Sequence, residues 1–207
     1  MFYFIKTPWI LKRLYSKAIW DIPSENNKVY LTFDDGPHPA VTPFVLDQLK
    51  QYHAKATFFC IGKNVEQHQD VYQSILSDGH RVGNHTQDHV NGWKTNDDDY
   101  IGNIKKAKQH IESDLFRPPY GRIKRTQLAK LQSAFPGTKT IMWDVLSADF
   151  DTAINHQKCS RNVLNHTKAG SIIVFHDSEK AFPRLEKTLP EILKVLSEKG
   201  FEFSSIE

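Results

Sequence analysis

Cysteine is scarce in this chain: among 207 residues only Cys60 and Cys159 carry thiols, and they form no CxxC pair. That excludes a cysteine-built zinc or redox centre and argues against a disulfide scaffold. Cys60 lies in an apolar run from Ala56 to Ile61 and reads as a buried strand residue. Both thiols are expected to be free, which weakly favours a reducing compartment. Long hydrophobic runs are missing too. No apolar stretch approaches the ~20 residues of a membrane span. No small-residue cleavage site follows a long apolar region, so no secretory signal is expected. Charge of one sign is also lacking: 27 Lys and Arg against 24 Asp and Glu leave a net +3, too little to argue for nucleic acid as a partner.

What remains is the composition of a globular domain, 39% hydrophobic, 12% aromatic and 25% charged. With no repeat, low-complexity tract or linker in view, residues 1–207 read as one domain. Residues 1–27 read as an N-terminal extension packing on it. Leu11, Leu14, Tyr15 and Ala18 fall at helical spacing beside Lys12, Arg13 and Lys17. Such a stretch suits a helix closing one end of the fold, and residues 1–20 leave a peripheral membrane contact open. The expected location is cytoplasmic or peripheral to a membrane.

From residue 28 onward strands and helices alternate. Strands are expected over 28–33, 56–61, 81–84, 140–145, 171–175 and 201–206. Helices are expected from a cap at Thr42 through Leu49, over 71–77, from Tyr100 to about Ser113, over 155–166 and over 185–197. This rhythm implies a mostly parallel sheet with helices outside it, and about six or seven strands suit a barrel-like closure. Functional groups in such folds gather beyond the carboxyl ends of the strands. Asp34-Asp35, His85, Asp149 and His176 all stand there.

Two adjacent carboxylates, Asp34 and Asp35, meet a Gly-Pro turn. A tight turn lets both reach one pocket, one to bind metal and the other to accept a proton. His85 and His89 are four apart, a spacing that puts both imidazoles on one face of a helical turn. With a carboxylate from another strand end they make a His-His-Asp set, leaving positions for water and substrate as catalytic sites do. Zinc suits these ligands, and cobalt, manganese or iron stay open. Arg117-Pro118-Pro119-Tyr120 is a stiff loop that presents Arg117 to a carboxylate and leaves the Tyr120 N–H for an oxyanion. His176 ends an apolar strand, where Asp149 can favour its protonated form and make it a general acid. Alone, each segment has a plainer reading: a turn, a chance pair, a surface loop, a core-edge histidine.

Taken together they resemble the signatures of the polysaccharide deacetylase family, also called carbohydrate esterase family four or the chitooligosaccharide deacetylase homology domain. The matching segments are Thr32 to Pro37, His85-Thr86-x-x-His89, Arg117 to Tyr120, Asp149-Phe150 and Val174-Phe175-His176, in the family's order. The resemblance implies a distorted (β/α) barrel with about seven parallel strands. It implies a metal-dependent hydrolase that removes N-acetyl groups from amino-sugar-containing poly- or oligosaccharides and releases acetate. Under it Asp34 is the base, Asp35, His85 and His89 hold the metal, and Arg117 orients the base. Tyr120 offers its N–H to the oxyanion, His176 is the acid and Asp149 tunes it. Phe150 stands where the family usually has tryptophan and Val174 where it has leucine; both touch substrate identity more than activity. Two other functions share these motifs. One is an O-acetyl ester deacetylase; the other is a silent carbohydrate-binding domain, which should have lost a ligand, the base or the acid. None is lost.

Overall fold

Period-two alternation in the strands sets up two different cores. The computed structural model describes residues 3–24 and 26–207; of the expected extension over 1–27, residues 1, 2 and 25 lie outside it. The first half of the chain runs α1 (Trp9–Leu14), β1 (Lys28–Asp34), α2 (Val41–Gln51), β2 (Ala56–Cys60), α3 (Gly62–Gln67), α4 (Gln69–Ser77), β3 (Arg81–Asn84) and α5 (Asp97–Ala107). The second runs β4 (Leu115–Phe116), α6 (Arg125–Ala134), β5 (Lys139–Thr140), β6 (Val145–Leu146), α7 (His156–Leu164), β7 (Ile172–His176), α8 (Phe182–Glu198) and β8 (Glu202–Phe203). Strand order is β5-β4-β3-β2-β1-β7-β6, with β8 added at the start of β1. Every pairing between named strands is parallel. The result is the distorted α/β barrel that the sequence implied.

Odd positions of β1 (Val29, Leu31, Phe33) join Phe58, Ile173 and Phe175 in a core against the helices, including Leu185, Leu189 and Ile192 of α8. The rings of Phe58 and Phe175 flank that of Phe33 at 5.1 and 5.8 Å. Even positions face the other way. Tyr30 joins Phe59, Leu115, Ile141 and Ile172 inside the curl. Register then carries Thr32 and Asp34 to the same face as Val174 and His176. Strand ends therefore deliver polar groups to one rim above an apolar floor.

The curl does not close by a β5–β6 ladder. Residues 140–145, expected as one strand, instead form two-residue strands separated by Ile141–Asp144. Arg117, distant in sequence, takes the Ile141 and Met142 carbonyls, so those two acceptors serve its guanidinium rather than a strand ladder, while the Ile141 N–H still donates to the Phe116 carbonyl of β4. The N-terminal segment fills the seam. Ile19 exchanges hydrogen bonds with Thr140 and Met142, and residues 5–7 bond to Asp144 and Leu146. Asp144, fully buried, fastens it by accepting from Lys6 (2.5 Å), Lys12 (2.7 Å) and Ser171 (2.7 Å).

Other expectations shift in smaller ways. α5 stops at Ala107, because Ser113 bonds the Val82 carbonyl and hands the chain to β4. α2 is capped at Ala40; the Thr42 hydroxyl turns to Asp177 instead. α3, α6 and β4 were not expected, being short or weakly patterned. Among the described residues no helix is long and apolar enough to cross a membrane. Phe4, Trp9, Ile10 and Leu14 are nevertheless exposed.

Burial pushes the Asp144 carboxyl up, but Lys12, Lys6 and Ser171 outweigh it and hold it below 3.8. A depressed carboxylate stabilises the fold above its unfolded pKa, and that share is lost as pH falls through the lower folded value. Asp144→Ala should cost about 2–4 kcal/mol in urea unfolding at pH 7, less than a fully buried pair because both lysines can rehydrate. The difference from the parent should shrink below about pH 4. A cost under about 0.5 kcal/mol would contradict the seam's dependence on this carboxylate.

Candidate active site

Asp34 and Asp35 reach the same rim because the backbone reverses between them. Asp34 ends β1 in extended conformation, whereas Asp35 takes a positive φ of 82°. Behind the turn stands Asp177, which no sequence pattern singled out. Its carboxylate accepts from the Gly36 N–H (3.0 Å) and the Thr42 hydroxyl (2.5 Å), and its own N–H donates to the Asp34 carbonyl. A Cβ on Gly36 would sit 2.0 Å from Asp177 Oδ2, so only glycine fits there. Burial pushes the Asp177 carboxyl up to about 8, and the charge of Asp35 adds to this. Its one sequence signal is its place directly after His176.

His85 and His89 come together, but not on a helical turn. The segment is an irregular loop in which Thr86 and His89 have φ of 66° and 53°. Side chains hold it: Asn84 accepts from the Thr86 N–H, and Asn103 accepts from Gln87 and Asp88. The expected face-sharing is thus met by left-handed residues rather than by helical period. His85 Nδ1 lies 2.8 Å from the Arg117 carbonyl. A carbonyl can only accept, so Nδ1 carries the hydrogen and Nε2 keeps a lone pair. Burial lowers the His85 pKa to about 4, which keeps the ring neutral at pH 7.

That lone pair points at a carboxylate. Asp35 Oδ1 lies 3.7 Å from His85 Nε2 and 3.1 Å from His89 Nε2, yet it is buried without a hydrogen-bond partner. Burial alone would raise the Asp35 carboxyl, but His89, His176 and His85 hold it well below the ordinary range. Donor atoms of Asp35, His85 and His89 all lie within 4.8 Å of one another. Two imidazole nitrogens and an orphaned carboxylate oxygen facing one point is an arrangement that a divalent cation fits. The carbonyl behind His85 is the outer support such ligands use.

Asp34, on the same rim, is held by the fully buried Arg117, whose Nη1 donates to Asp34 Oδ1 and Thr32 Oγ1, both at 2.7 Å. Opposite, Asp149 accepts from the His176 backbone N–H (2.8 Å) and holds its Nδ1 at 2.7 Å. Burial would lower the His176 pKa, but Asp149, with help from Asp35 and Asp34, raises it to about 9. His176 is therefore protonated at neutral pH, within electrostatic reach of both carboxylates. Tyr120 takes φ 60° and sets its ring 4.6 Å from His89. Phe150 meets His176 edge-on at 5.2 Å, and Val174 is buried on the Thr32 side of β7. All ten residues singled out in the sequence thus lie at or just beneath one rim.

A family model for polysaccharide deacetylase matches residues 21–134, more than half of the chain. The chain belongs to the polysaccharide deacetylase family. It is 32% identical over 199 residues to a peptidoglycan-N-acetylglucosamine deacetylase of Bacillus cereus, covering 90% of each. It is 33% identical over 163 residues to a chitooligosaccharide deacetylase of Azorhizobium caulinodans, covering 75% of this chain and 76% of the relative. A crystal structure of a peptidoglycan N-acetylglucosamine deacetylase in complex with 4-naphthalen-1-yl-N-oxidanyl-benzamide superposes with a TM-score of 0.87 at 31% identity, over 97% of this chain and 95% of that one. Both thiols are buried and free, as expected. Burial pushes both thiols up, that of Cys159 to about 12, which disfavours the reactive thiolate.

A histidine with a raised pKa stabilises the fold below its unfolded value near 6.5, and that share is lost as pH rises through about 9. In Asp149→Asn the carboxylate is gone, and the His176 ring should titrate back toward 6.5 by NMR. The stability gap between parent and variant should be widest near pH 6 and narrow as pH rises through the folded value. An unchanged His176 titration would remove Asp149 as the cause.

Proposed function

We propose that this deacetylase is a divalent-metal-dependent hydrolase that removes the N-acetyl group from N-acetylglucosamine units of a poly- or oligosaccharide. The observation that carries the reading is the pairing of an unpartnered Asp35 oxygen between two imidazoles with a base and a protonated histidine on the same rim. Asp35, His85 and His89 would hold the cation, whose chemistry when bound is Lewis acidity toward water and the acetyl oxygen. Zinc fits two nitrogens and one oxygen; cobalt, manganese and iron share that preference. Asp34, fixed by Arg117, removes the proton of the attacking water. The Tyr120 N–H donates to the carbonyl oxygen as it gains charge. His176, protonated through Asp149, gives its proton to the departing nitrogen. Phe150 and Val174 border the acetyl group. Relatives named for peptidoglycan and chitooligosaccharide favour the amide over the O-acetyl ester. A silent domain is disfavoured because base, acid and all three ligands are present.

Asp34→Asn should abolish acetate release from N-acetylglucosamine oligomers while retaining zinc in equilibrium dialysis, a loss of at least about 10²-fold. His89→Ala should lose both metal and activity, and chelator should silence the parent. Full activity in either variant would refute the assignment. A panel including acetylated xylan separates amide from ester preference.

The exposed Phe4, Trp9, Ile10 and Leu14 stand beside exposed Arg13 and Lys17, and residues 3–20 hold no acidic side chain. These features support a peripheral seat on an anionic membrane surface. The protein should cosediment with phosphatidylglycerol-rich vesicles and not with phosphatidylcholine alone. Trp9→Ser with Leu14→Ser should abolish this; binding that ignores either change would count against it.

A further inference from the structure

We propose that Tyr3 is a positioning residue of the acid side of the active site, so that the N-terminal segment belongs to the catalytic apparatus; the inference rests on the reading of His176 as proton donor. Three rings stand in a row there. Tyr3 meets Phe150 edge-on, centroids 5.5 Å apart at 72°, and Phe150 meets His176 edge-on, 5.2 Å apart at 76°. The Tyr3 hydroxyl also donates to Asp151 Oδ2 at 2.5 Å. Tyr3 thus grips two consecutive residues of the loop whose preceding residue, Asp149, holds His176 by two hydrogen bonds.

The rest of that loop is fastened from its inner side. Arg184 donates to the Asp149 carbonyl, Ser147 Oγ accepts from the Asp149 N–H, and Ala148 takes a positive φ of 63°. On the outer side, Asp151 otherwise bonds only to Ala148, Ala153 and Ile154 among the described residues, all within its own turn. Among the described residues Tyr3 is its one hydrogen-bond partner from outside that turn. A tether must itself be fixed, and this one is. Two and three residues on, the Ile5 carbonyl accepts from Leu146 and Lys6 pairs with Asp144 and the His166 carbonyl. Tyr3 is therefore delivered to the loop from the seam that closes the barrel. An aromatic edge contact and a hydrogen bond to a carboxylate are each worth a modest amount, but catalysis is sensitive to displacements of about 1 Å in a proton donor.

Tyr3→Ala and Tyr3→Phe, compared with the parent as zinc-loaded full-length proteins, test this. Tyr3→Ala should lower kcat for acetate release roughly tenfold, with KM within about twofold and zinc content unchanged. Its pH profile should lose activity at lower pH on the basic side. Tyr3→Phe keeps the ring against Phe150 and should recover at least half of the loss. A parent-like kcat in Tyr3→Ala overturns the proposal, as does a loss that Tyr3→Phe fails to recover or one confined to KM. The NMR signals of the His176 ring give a readout independent of turnover: they should move in Tyr3→Ala and stay in Tyr3→Phe. Absence of acetate release from the parent would sink the functional reading, while unmoved His176 signals would sink the role of Tyr3.

Discussion

Arg117 carries a charge with no access to water, a position tolerable only if its N–H groups find partners inside the protein. It makes four hydrogen bonds, to Asp34, Thr32 and the carbonyls of Ile141 and Met142, and its guanidinium lies 4.0 Å over the Phe59 ring. Each contact has a consequence elsewhere. Pairing with Asp34 fixes one carboxylate of the rim. Turning two carbonyls inward withdraws them from any ladder between Thr140 and Val145, where the seam lies. The Arg117 backbone carbonyl selects the His85 tautomer that points a lone pair at Asp35. One buried cation thus links Asp34, His85 and the opening that the N-terminal segment covers.

Two of the three site histidines, His85 and His176, are shifted in opposite directions by one variable. Both are withdrawn from water, which by itself disfavours the imidazolium. His85 has a neutral carbonyl as its partner and falls to about 4, while His176 has the Asp149 carboxylate and rises to about 9. Under the proposed roles, the ligand His85 must be unprotonated and the proton donor His176 protonated at the same pH. Opposed environments a few residues from the same rim meet both demands, as pairs of titratable groups in active sites do. A cation seated at Asp35 would cancel part of the negative charge that His176 senses, bringing its pKa nearer neutrality, where a proton donor is most effective.

Legibility followed sequence distance. The β-branched and aromatic residues of 28–33 and the apolar run at Ala56 are visible because each strand's pattern is internal to it. The motif residues were visible because strand ends recur beside polar residues. His85 and His89 do converge, but not through the helical turn their spacing suggests, and nothing local announces that Thr86 and His89 adopt left-handed backbone. The break after Thr140 was illegible because its cause, Arg117, is 24 residues away from Ile141. Asp177 was overlooked since an aspartate after a histidine reads as solvated, and only the fold reveals Gly36 and Thr42 against it. Tyr3 lies 148 residues from Asp151, beyond any pattern.

Barrel closure and the proposed positioning of the proton donor are served by the same stretch of chain. Two-residue strands at both ends of a sheet offer little ladder to hold a seam, and an uncovered edge invites pairing with other chains. Covering it with the N-terminal segment solves that problem through Lys6, Lys12 and Asp144, all of which lie below the rim. Once residues 5–7 are pinned there, Tyr3 is carried to the Phe150 loop with little further loss of chain entropy, since its neighbours are already ordered. The two tasks are separable in principle, because the ion pairs hold the seam without Tyr3. Tyr3 cannot hold the loop without the seam. Disturbing Asp144 should therefore reach the acid side of the site as well as the fold, whereas disturbing Tyr3 leaves the barrel closed.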